Sequence, residues 1–445
     1  MKILIIGAGD IGFQLAKRLS VEHDIILIEN DPNRVKRASE QLDAFVIEGS
    51  GTSISTLREA NVQSCDVVAA MTNRDEVNLL SCQIAKKMGV ATTIARVRNP
   101  EFDLQDFPLS LKDLGVDLMV HPEKETANAI SRLIRQSNCT DVIEFEEGKI
   151  QVLGIRMESN SPALRVPLKN LGQNFSQLNL RIVAINRKEQ TIVPKGDDVL
   201  IPGDQIFVVS DPNHTAKFLD MIGKSNTKIQ DVMILGGGLI GQFLGKMFSG
   251  NIRTKIIESN QEKSVMIADL LPRSLIIHGD GTDIDLLAVE GLMDMDAFIA
   301  VTGNDETNII STLVAHHLRV PRTIALVNKT DYLPITPTIG LDAVVSKQLL
   351  TVNAVQRFIR HQQIAAIANI PGVDAHIVEL VAASGSKITR KPLRDISFPR
   401  NAIVGAILHG EQVTIPKGDT EIEPGDKVVI FSTPSALSKV EKLFK

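Results

Sequence analysis

The chain has 445 residues, 43% of them hydrophobic and 23% charged, with a formal net charge of −5. That length is too great for one hydrophobic core and suits three or four domains, and the mild acidity, without a long run of like charge, argues against nucleic acid as a partner. No apolar stretch reaches the roughly 18 residues that a membrane-spanning helix needs, and the N-terminus runs into a strand and a glycine loop rather than a signal peptide, so the expected compartment is the cytoplasm.

Residues 1–140 alternate apolar strands with amphipathic helices. Strands are expected at 2–6, 25–28, 44–47, 67–71, 92–95 and 118–120. Between the fourth and fifth, Val77, Leu79, Leu80, Ile84, Ala85 and Met88 mark one helical face, stopped by Gly89. Continuous apolar strands with interleaved helices predict a parallel sheet covered on both faces. The first strand leads into Gly7-x-Gly9-x-x-Gly12, and Glu29 follows at the end of the second strand. A glycine loop opening a helix brings backbone N–H groups against a pyrophosphate, favoured by the helix dipole. An acid at the tip of the second strand accepts hydrogen bonds from ribose hydroxyls and repels a 2′-phosphate, which favours NAD over NADP.

Further along come Glu48-Gly-Ser-Gly-Thr52, Thr72-Asn-Arg-Asp-Glu-Val-Asn78, and Arg96 and Arg98 after the fifth strand. The strand's C-terminal end borders the nucleotide crevice, where arginine neutralises phosphate; a solvated surface arginine is the alternative. Asp75 and Glu76 open a helix and discourage phosphate there. That loop is expected to frame adenine or ribose, to make a subunit contact, or simply to cap the helix.

Residues 141–223 lose the alternation. Strands at 181–185 and 191–193 flank a polar turn, and the phrase Pro194-Lys-Gly-Asp197 to Pro202-Gly-Asp204 follows. Pro-Gly-Asp between strands is turn chemistry. The polar stretch 223–230 reads as the linker between halves.

From position 229 the whole order returns. Strands are expected at 232–235, 254–257, 274–277, 297–301, 323–327 and 343–345. Gly236-x-Gly238-x-x-Gly241 and Glu258 repeat the first loop and its acid, and both stand at the same offset from their counterparts Gly7 and Glu29. His278-Gly-Asp-Gly-Thr282 and Thr302-Gly-Asn-Asp-Glu-Thr-Asn308 repeat the later phrases with the offset lengthened by a single position. Leu326 and Asn328 stand where the first half has Arg96 and Arg98, with Lys329 next, so the second crevice loses its cations. Residues 402–408 and 412–415 form a second hairpin pattern, followed by Pro416-Lys-Gly-Asp419 to Pro424-Gly-Asp426.

The fold class is therefore α/β: a tandem duplication of a Rossmann-like parallel-sheet domain, each followed by a small α+β lobe. The expected domains are 1–140, 141–223, 229–365 and 366–445. The candidate binding set in the first half is Gly7, Ala8, Gly9, Asp10, Ile11, Gly12, Glu29, Asn30, Gly51, Thr52, Thr72, Asn73, Arg96 and Arg98. In the second it is Gly236, Gly238, Leu239, Ile240, Gly241, Glu258, Asp280 and Thr302.

Other chemistries lack their residues. Cys65, Cys82 and Cys139 are isolated and read as small core residues, with one reactive thiol as the alternative. The histidines have no H-x-x-x-H or H-E-x-x-H spacing; His121 is taken as structural, and metal catalysis has no support. No G-x-S-x-G or Walker motif is present. Tryptophan is absent and Tyr332 is the sole tyrosine, which disfavours stacking platforms for single-stranded nucleic acid.

The ordered set of glycine loop with acid, GxGT, TxxDExN, arginine-rich strand end and Pro-Gly-Asp lobe resembles the RCK modules that regulate potassium conductance. Two modules in one chain of this length resemble the TrkA family of bacterial Trk potassium uptake. The resemblance implies a regulator, not an enzyme, that binds NAD, NADH, ATP or ADP. It implies a homotetrameric ring beneath a membrane-embedded, TrkH-like potassium translocation subunit, at the inner face of the membrane. Gly7, Gly9 and Gly12 match the family's phosphate loop, Glu29 its ribose acid, and Arg98 or Arg96 its phosphate arginine; Gly236, Gly238, Gly241 and Glu258 match likewise. An NAD-dependent dehydrogenase, which the fold alone favours, and a regulator of another cation transporter such as a potassium/proton antiporter are the alternative readings.

Overall fold

In a computed structural model of the chain, the apolar runs of the first half pair side by side as six parallel strands. They are β1 (Lys2–Ile6), β2 (Asp24–Glu29), β3 (Phe45–Glu48), β4 (Val67–Ala70), β5 (Thr92–Arg96) and β6 (Leu118–Val120). The structure describes residues 1–445 except 104–106, 175–177, 189, 225–227, 334, 336–338, 361–363, 370–372 and 374. Part of the expected linker 223–230 thus lies outside the described residues.

The strand order is β3-β2-β1-β4-β5-β6. The order reverses between β1 and β4, which opens a crevice at the C-terminal strand ends. Helices α1 (Asp10–Leu19), α2 (Pro32–Gln41), α3 (Ile54–Glu59) and α4 (Asp75–Lys87) connect the strands, and α5 (Pro122–Arg135) follows β6. Alternation along β1 divides the core in two. Ile3 and Ile5 pack with Leu15, Leu27 and Ile94, whereas Leu4 and Ile6 pack with Ile28, Val68 and Cys82.

The lobe that follows is an antiparallel sheet of β7 (Asp141–Phe145), β8 (Ile150–Arg156), β9 (Leu180–Arg187), β10 (Gln190–Ile192) and β11 (Gln205–Ser210), with α6 (Leu168–Asn174) and α7 (Pro212–Met221). The second half repeats the parallel sheet with β12 (Asp231–Leu235), β13 (Arg253–Glu258), β14 (Ser274–His278), β15 (Ala297–Ala300), β16 (Arg322–Leu326) and β17 (Ala343–Val345). Their order, β14-β13-β12-β15-β16-β17, is that of the first sheet. Its helices are α8 (Leu239–Phe248), α9 (Gln261–Leu270), α10 (Ile284–Val289), α11 (Asp305–His317) and α12 (Lys347–Arg360). The second lobe holds β18 (Ile364–Asn369), β19 (His376–Val381), β20 (Ala402–His409), β21 (Gln412–Thr414), β22 (Lys427–Ser432) and α13 (Pro434–Phe444). Its order, β18-β19-β22-β20-β21, copies the first lobe strand for strand, and both expected hairpins, β9–β10 and β20–β21, are present.

The chain falls into two compact units: Met1–Thr126 with Lys347–Ile359, and Ala127–Ser346 with Arg360–Lys445. Helix α12, although it follows the second sheet in sequence, thus packs on the first. Val352, Val355 and Ile359 recur at helical spacing and are buried in the cluster around Ile3 and Ile5.

In the other unit the two lobes share one apolar core, in which Phe145, Val183 and Phe207 meet Ile377, Ala406 and Phe431. Asn179 bridges them, donating to Val413 O and accepting from Ile415 N, and Arg181 donates to Val404 O. The repeated Pro-Gly-Asp phrases are turns whose acids face inward. Asp204 accepts from Ile201 N and binds the Arg187 guanidinium through both oxygens, at 2.8 and 2.7 Å. Asp426 accepts from Glu423 N and pairs with His409 at 2.7 Å.

All three cysteines are buried and unpaired by disulfides. Burial pushes the Cys82 and Cys139 thiols up to about 12 and raises Cys65 as well, so the core reading holds over the reactive-thiol one. Among the described residues no helix is long and apolar enough to cross a membrane, and no group of His, Cys, Asp or Glu is arranged to hold a metal.

Candidate functional site

At the switch point of the first sheet, β1 is followed by Gly7, whose φ of +98° turns the chain sharply towards α1. The turn is clamped from both sides: Gly7 N donates to Ile28 O, and Thr72 lies so close that a Cβ on Gly7 would meet its Cγ2 at 2.9 Å. Gly12 is required by packing, since a Cβ there would stand 1.9 Å from Gly7 O. Gly9 differs. A Cβ on Gly9 would meet nothing nearer than the Arg34 Nη1 at 3.7 Å, and its φ is an ordinary −65°. It stands at the N-cap of α1 and offers no side-chain acceptor to the helix's first N–H groups. Of the loop residues between the glycines, Ala8 and Ile11 are buried, while Asp10 at the first helical position is exposed.

Glu29 is 4% exposed and already organises the loop. It accepts from Ala8 N at 2.5 Å, from Asn30 N at 2.8 Å and from Asp31 N at 3.0 Å. A ribose hydroxyl would share this carboxylate with the backbone. Arg96 lies half-buried behind Thr72, donating to Thr72 O at 3.3 Å, with its Nε buried and without a hydrogen-bond partner among the described residues. Burial pulls its guanidinium below its ordinary range, opposed by the charges of Glu123, Asp75 and Asp10 and assisted by Arg98. Arg98 is exposed, and its Nε sits 3.4 Å from Glu123. Gly51 packs against Ile6, where a Cβ would clash at 2.2 Å, and Thr52 bonds Ser50; Asn73 is exposed in the loop after β4.

The acid of the TxxDExN phrase serves as a loop anchor. Asp75 accepts from the backbone N–H groups of Arg98 and Asn99. Sequence reasoning missed the last residue of the phrase. Asn78 is fully buried, accepts from Thr72 N (2.9 Å) and Thr72 Oγ1 (2.7 Å), and donates to Thr72 O (3.1 Å) and Arg96 O (2.8 Å). It ties the ends of β4 and β5 together beneath the glycine loop. Its recurrence as Asn308 was the available signal, and Asn308 makes the same four bonds with Thr302 and Leu326.

The second crevice has the same backbone. Gly236 has φ +109°, a Cβ on Gly241 would lie 2.1 Å from Gly236 O, and Gly238 has nothing within 4 Å. Leu239 and Ile240 replace Asp10 and Ile11 at the start of the helix, α8. The polar groups differ. Glu258 accepts from Gly237 N and Asn260 N, but Lys263 also lies on it at 2.6 Å. Burial would raise the Glu258 carboxyl; the bonds from Lys263, Asn260 and Gly237 outweigh that and hold it below the usual range. Asp280 spends its charge on Thr282 N and Oγ1 within its own turn. Lys329, the cation after the missing arginines, pairs with Glu306 and lies over the Tyr332 ring.

Two glycine-loop crevices on duplicated parallel sheets, each sheet followed by an antiparallel lobe, define a tandem nucleotide-binding-fold protein of the RCK architecture. The TrkA-N domain model matches residues 3–122 and 232–347, and the TrkA-C domain model matches 152–223 and 377–445; the chain belongs to the TrkA family. It is 36% identical over 459 residues, the full length of both chains, to the "Trk system potassium uptake protein TrkA homolog 2" of Methanosarcina mazei. It is 31% identical over 452 residues, covering 100% of this chain and 99% of the relative, to the TrkA protein of Azorhizobium caulinodans. Among solved structures it resembles the GsuK RCK domain, with a TM-score of 0.63 at 18% identity over 100% of this chain and 94% of that one. It also resembles the GsuK channel bound to NAD, with a TM-score of 0.64 at 18% identity over 100% and 78%. At that identity the likeness speaks for the fold.

Proposed function

We propose that this chain is the nucleotide-sensing regulatory subunit of a Trk-type potassium uptake system. It binds NAD(H), ATP or ADP in the first crevice and acts on a membrane-embedded, TrkH-like translocating partner as a peripheral homotetrameric ring. The observation that carries the reading is the helix end at Gly9, which no side chain caps, with buried Glu29 on Ala8 N of the same loop and Arg96 on Thr72 O beside Gly7; in this reading Glu29 takes the ribose and Arg96 and Arg98 the phosphates. Full-length likeness to potassium uptake proteins and the fold shared with an NAD-bound channel support the transport role.

Signalling is favoured over hydride transfer by the state of the acids around the crevice. Glu29 and Asp75 are engaged with backbone N–H groups and Glu123 with two cations, which leaves them as anchors rather than as a base aimed at a substrate. A ligand shifts such a regulator only through unequal affinity for its two states, typically roughly 1–3 kcal/mol of coupling.

The test is titration of the purified chain with NADH and ATP, followed by co-purification from membranes expressing a Trk-type translocating subunit. Saturable binding of at least one nucleotide, and a membrane association that changes with it, is expected. Failure to bind either, or steady oxidation of NADH against small oxo acids, refutes the proposal.

A further inference from the structure

Glu123 is the second residue of α5, lies 4% exposed, and is the acid whose charge acts most on Arg96 at the end of β5. One of its oxygens, Oε1, lies 3.4 Å from Arg98 Nε and 3.4 Å from Lys347 Nζ. The other, Oε2, is buried without a hydrogen-bond partner among the described residues. A carboxylate so buried needs compensating cations, and removing one of its partners is costly.

Lys347 opens α12 and belongs to the second repeat, yet it lies in the compact unit of the first sheet. The two repeats differ here. Helices α5 and α12 start at equivalent points after β6 and β17, so Lys347 stands where the first repeat has Pro122, and Gln348 where it has Glu123. The first repeat carries the acid and the second the lysine, and the two meet beside Arg98.

We infer that Lys347 completes the first nucleotide site as a positioning residue. Before a nucleotide binds, Glu123 shares Arg98 and Lys347; when a nucleotide phosphate draws Arg98 away, Lys347 remains to neutralise Glu123. With Arg98 alone, moving that arginine to a ligand would strand a buried carboxylate and oppose binding. The effect therefore grows with ligand charge and selects polyphosphate nucleotides over nucleosides. This inference rests on the nucleotide reading above and adds to it a residue from the other half of the chain.

The experiment is a calorimetric titration of the full chain with ATP and with adenosine, free of divalent ions, in a Gly238→Asp background that silences the second loop. Lys347→Gln is expected to weaken ATP at least tenfold and adenosine less than twofold. Lys347→Arg, which keeps the charge, should stay within threefold of the unaltered residue. Glu123→Gln, which frees Arg98, should tighten ATP severalfold, and adding Lys347→Gln to Glu123→Gln should leave ATP affinity within threefold of Glu123→Gln alone, because no carboxylate is left to neutralise. A merely structural lysine would cost the same affinity whether or not Glu123 is present. ATP affinity within twofold for Lys347→Gln, or equal losses for ATP and adenosine, overturns the inference while leaving the nucleotide reading intact. No binding of ATP by the unaltered chain overturns the inference, and if NADH also fails to bind it overturns the nucleotide reading with it.

Discussion

Replacing Gly9 by aspartate separates a glycine kept for its ligand from one kept for packing. The backbone at Gly9 has φ −65°, the built Cβ meets only the Arg34 guanidinium at 3.7 Å, and the position is a helix N-cap, where aspartate is among the favoured residues. The fold should tolerate it, with stability changed by a few tenths of a kcal/mol and a thermal midpoint moved by no more than about 2 °C. The new carboxylate, however, would accept the helix's free N–H groups itself and stand where the proposed function places a phosphate. Two unit charges roughly 4 Å apart at an effective dielectric of about 20 repel by about 4 kcal/mol. That is about a thousandfold in affinity, of which salt screening and Arg34 leave at least tenfold to be observed. Fluorescence titration with NADH, alongside thermal unfolding of the same preparation, reads both quantities. The control is Gly12→Ala, whose Cβ would stand 1.9 Å from Gly7 O and which should lower the midpoint outright. NADH bound by the Gly9→Asp chain within twofold of the unaltered one would refute the assignment of this loop.

Asn78→Ala removes a fully buried amide and leaves Thr72 N and Arg96 O without partners; a loss of about 3 kcal/mol is expected from urea unfolding, with weaker nucleotide binding because β4 and β5 are no longer tied. A stability change under about 1 kcal/mol would remove Asn78 from the framework of the site. His409 carries a raised pKa, caused first by its hydrogen bond to Asp426 and then by the charges of Asp426 and Glu423. A pKa raised on folding stabilises fully below the unfolded value of about 6.5 and fades as pH climbs through the folded value. The thermal-midpoint gap between the unaltered chain and His409→Gln should therefore be widest near pH 5.5 and narrow towards pH 8; a gap constant with pH would show that the pair does not titrate.

The duplicated architecture was legible because its determinants are local. A short apolar run before a glycine loop dictates a buried parallel strand, and the return of every phrase in the second half dictates a second copy. The hairpins were legible for the same reason, with turn residues between short β-rich runs. The illegible parts depend on what the chain meets in space. The stripe of Val352, Val355 and Ile359 reads as an amphipathic helix, but nothing in it says which sheet it covers. Periodicity fixes a helix's apolar face and leaves its partner open. Likewise Lys263 lies shortly past Glu258, across the start of a helix, and no spacing rule announces that it folds back onto the acid. Glu258 reads as a free ribose acceptor in sequence and is an ion-paired one in the structure. Asn78 was visible as a letter of a repeated phrase, but its four bonds exist only once β4 and β5 lie side by side.

Lodging α12 against the first sheet makes that sheet's interior a joint product of distant stretches of gene. A break anywhere in the intervening coding stretch would deprive the amino-terminal fragment of Val352, Val355 and Ile359 and bare the faces of Ile3, Ile5 and Val120 that they cover. The two repeats are in this chain bound to be synthesised and degraded together.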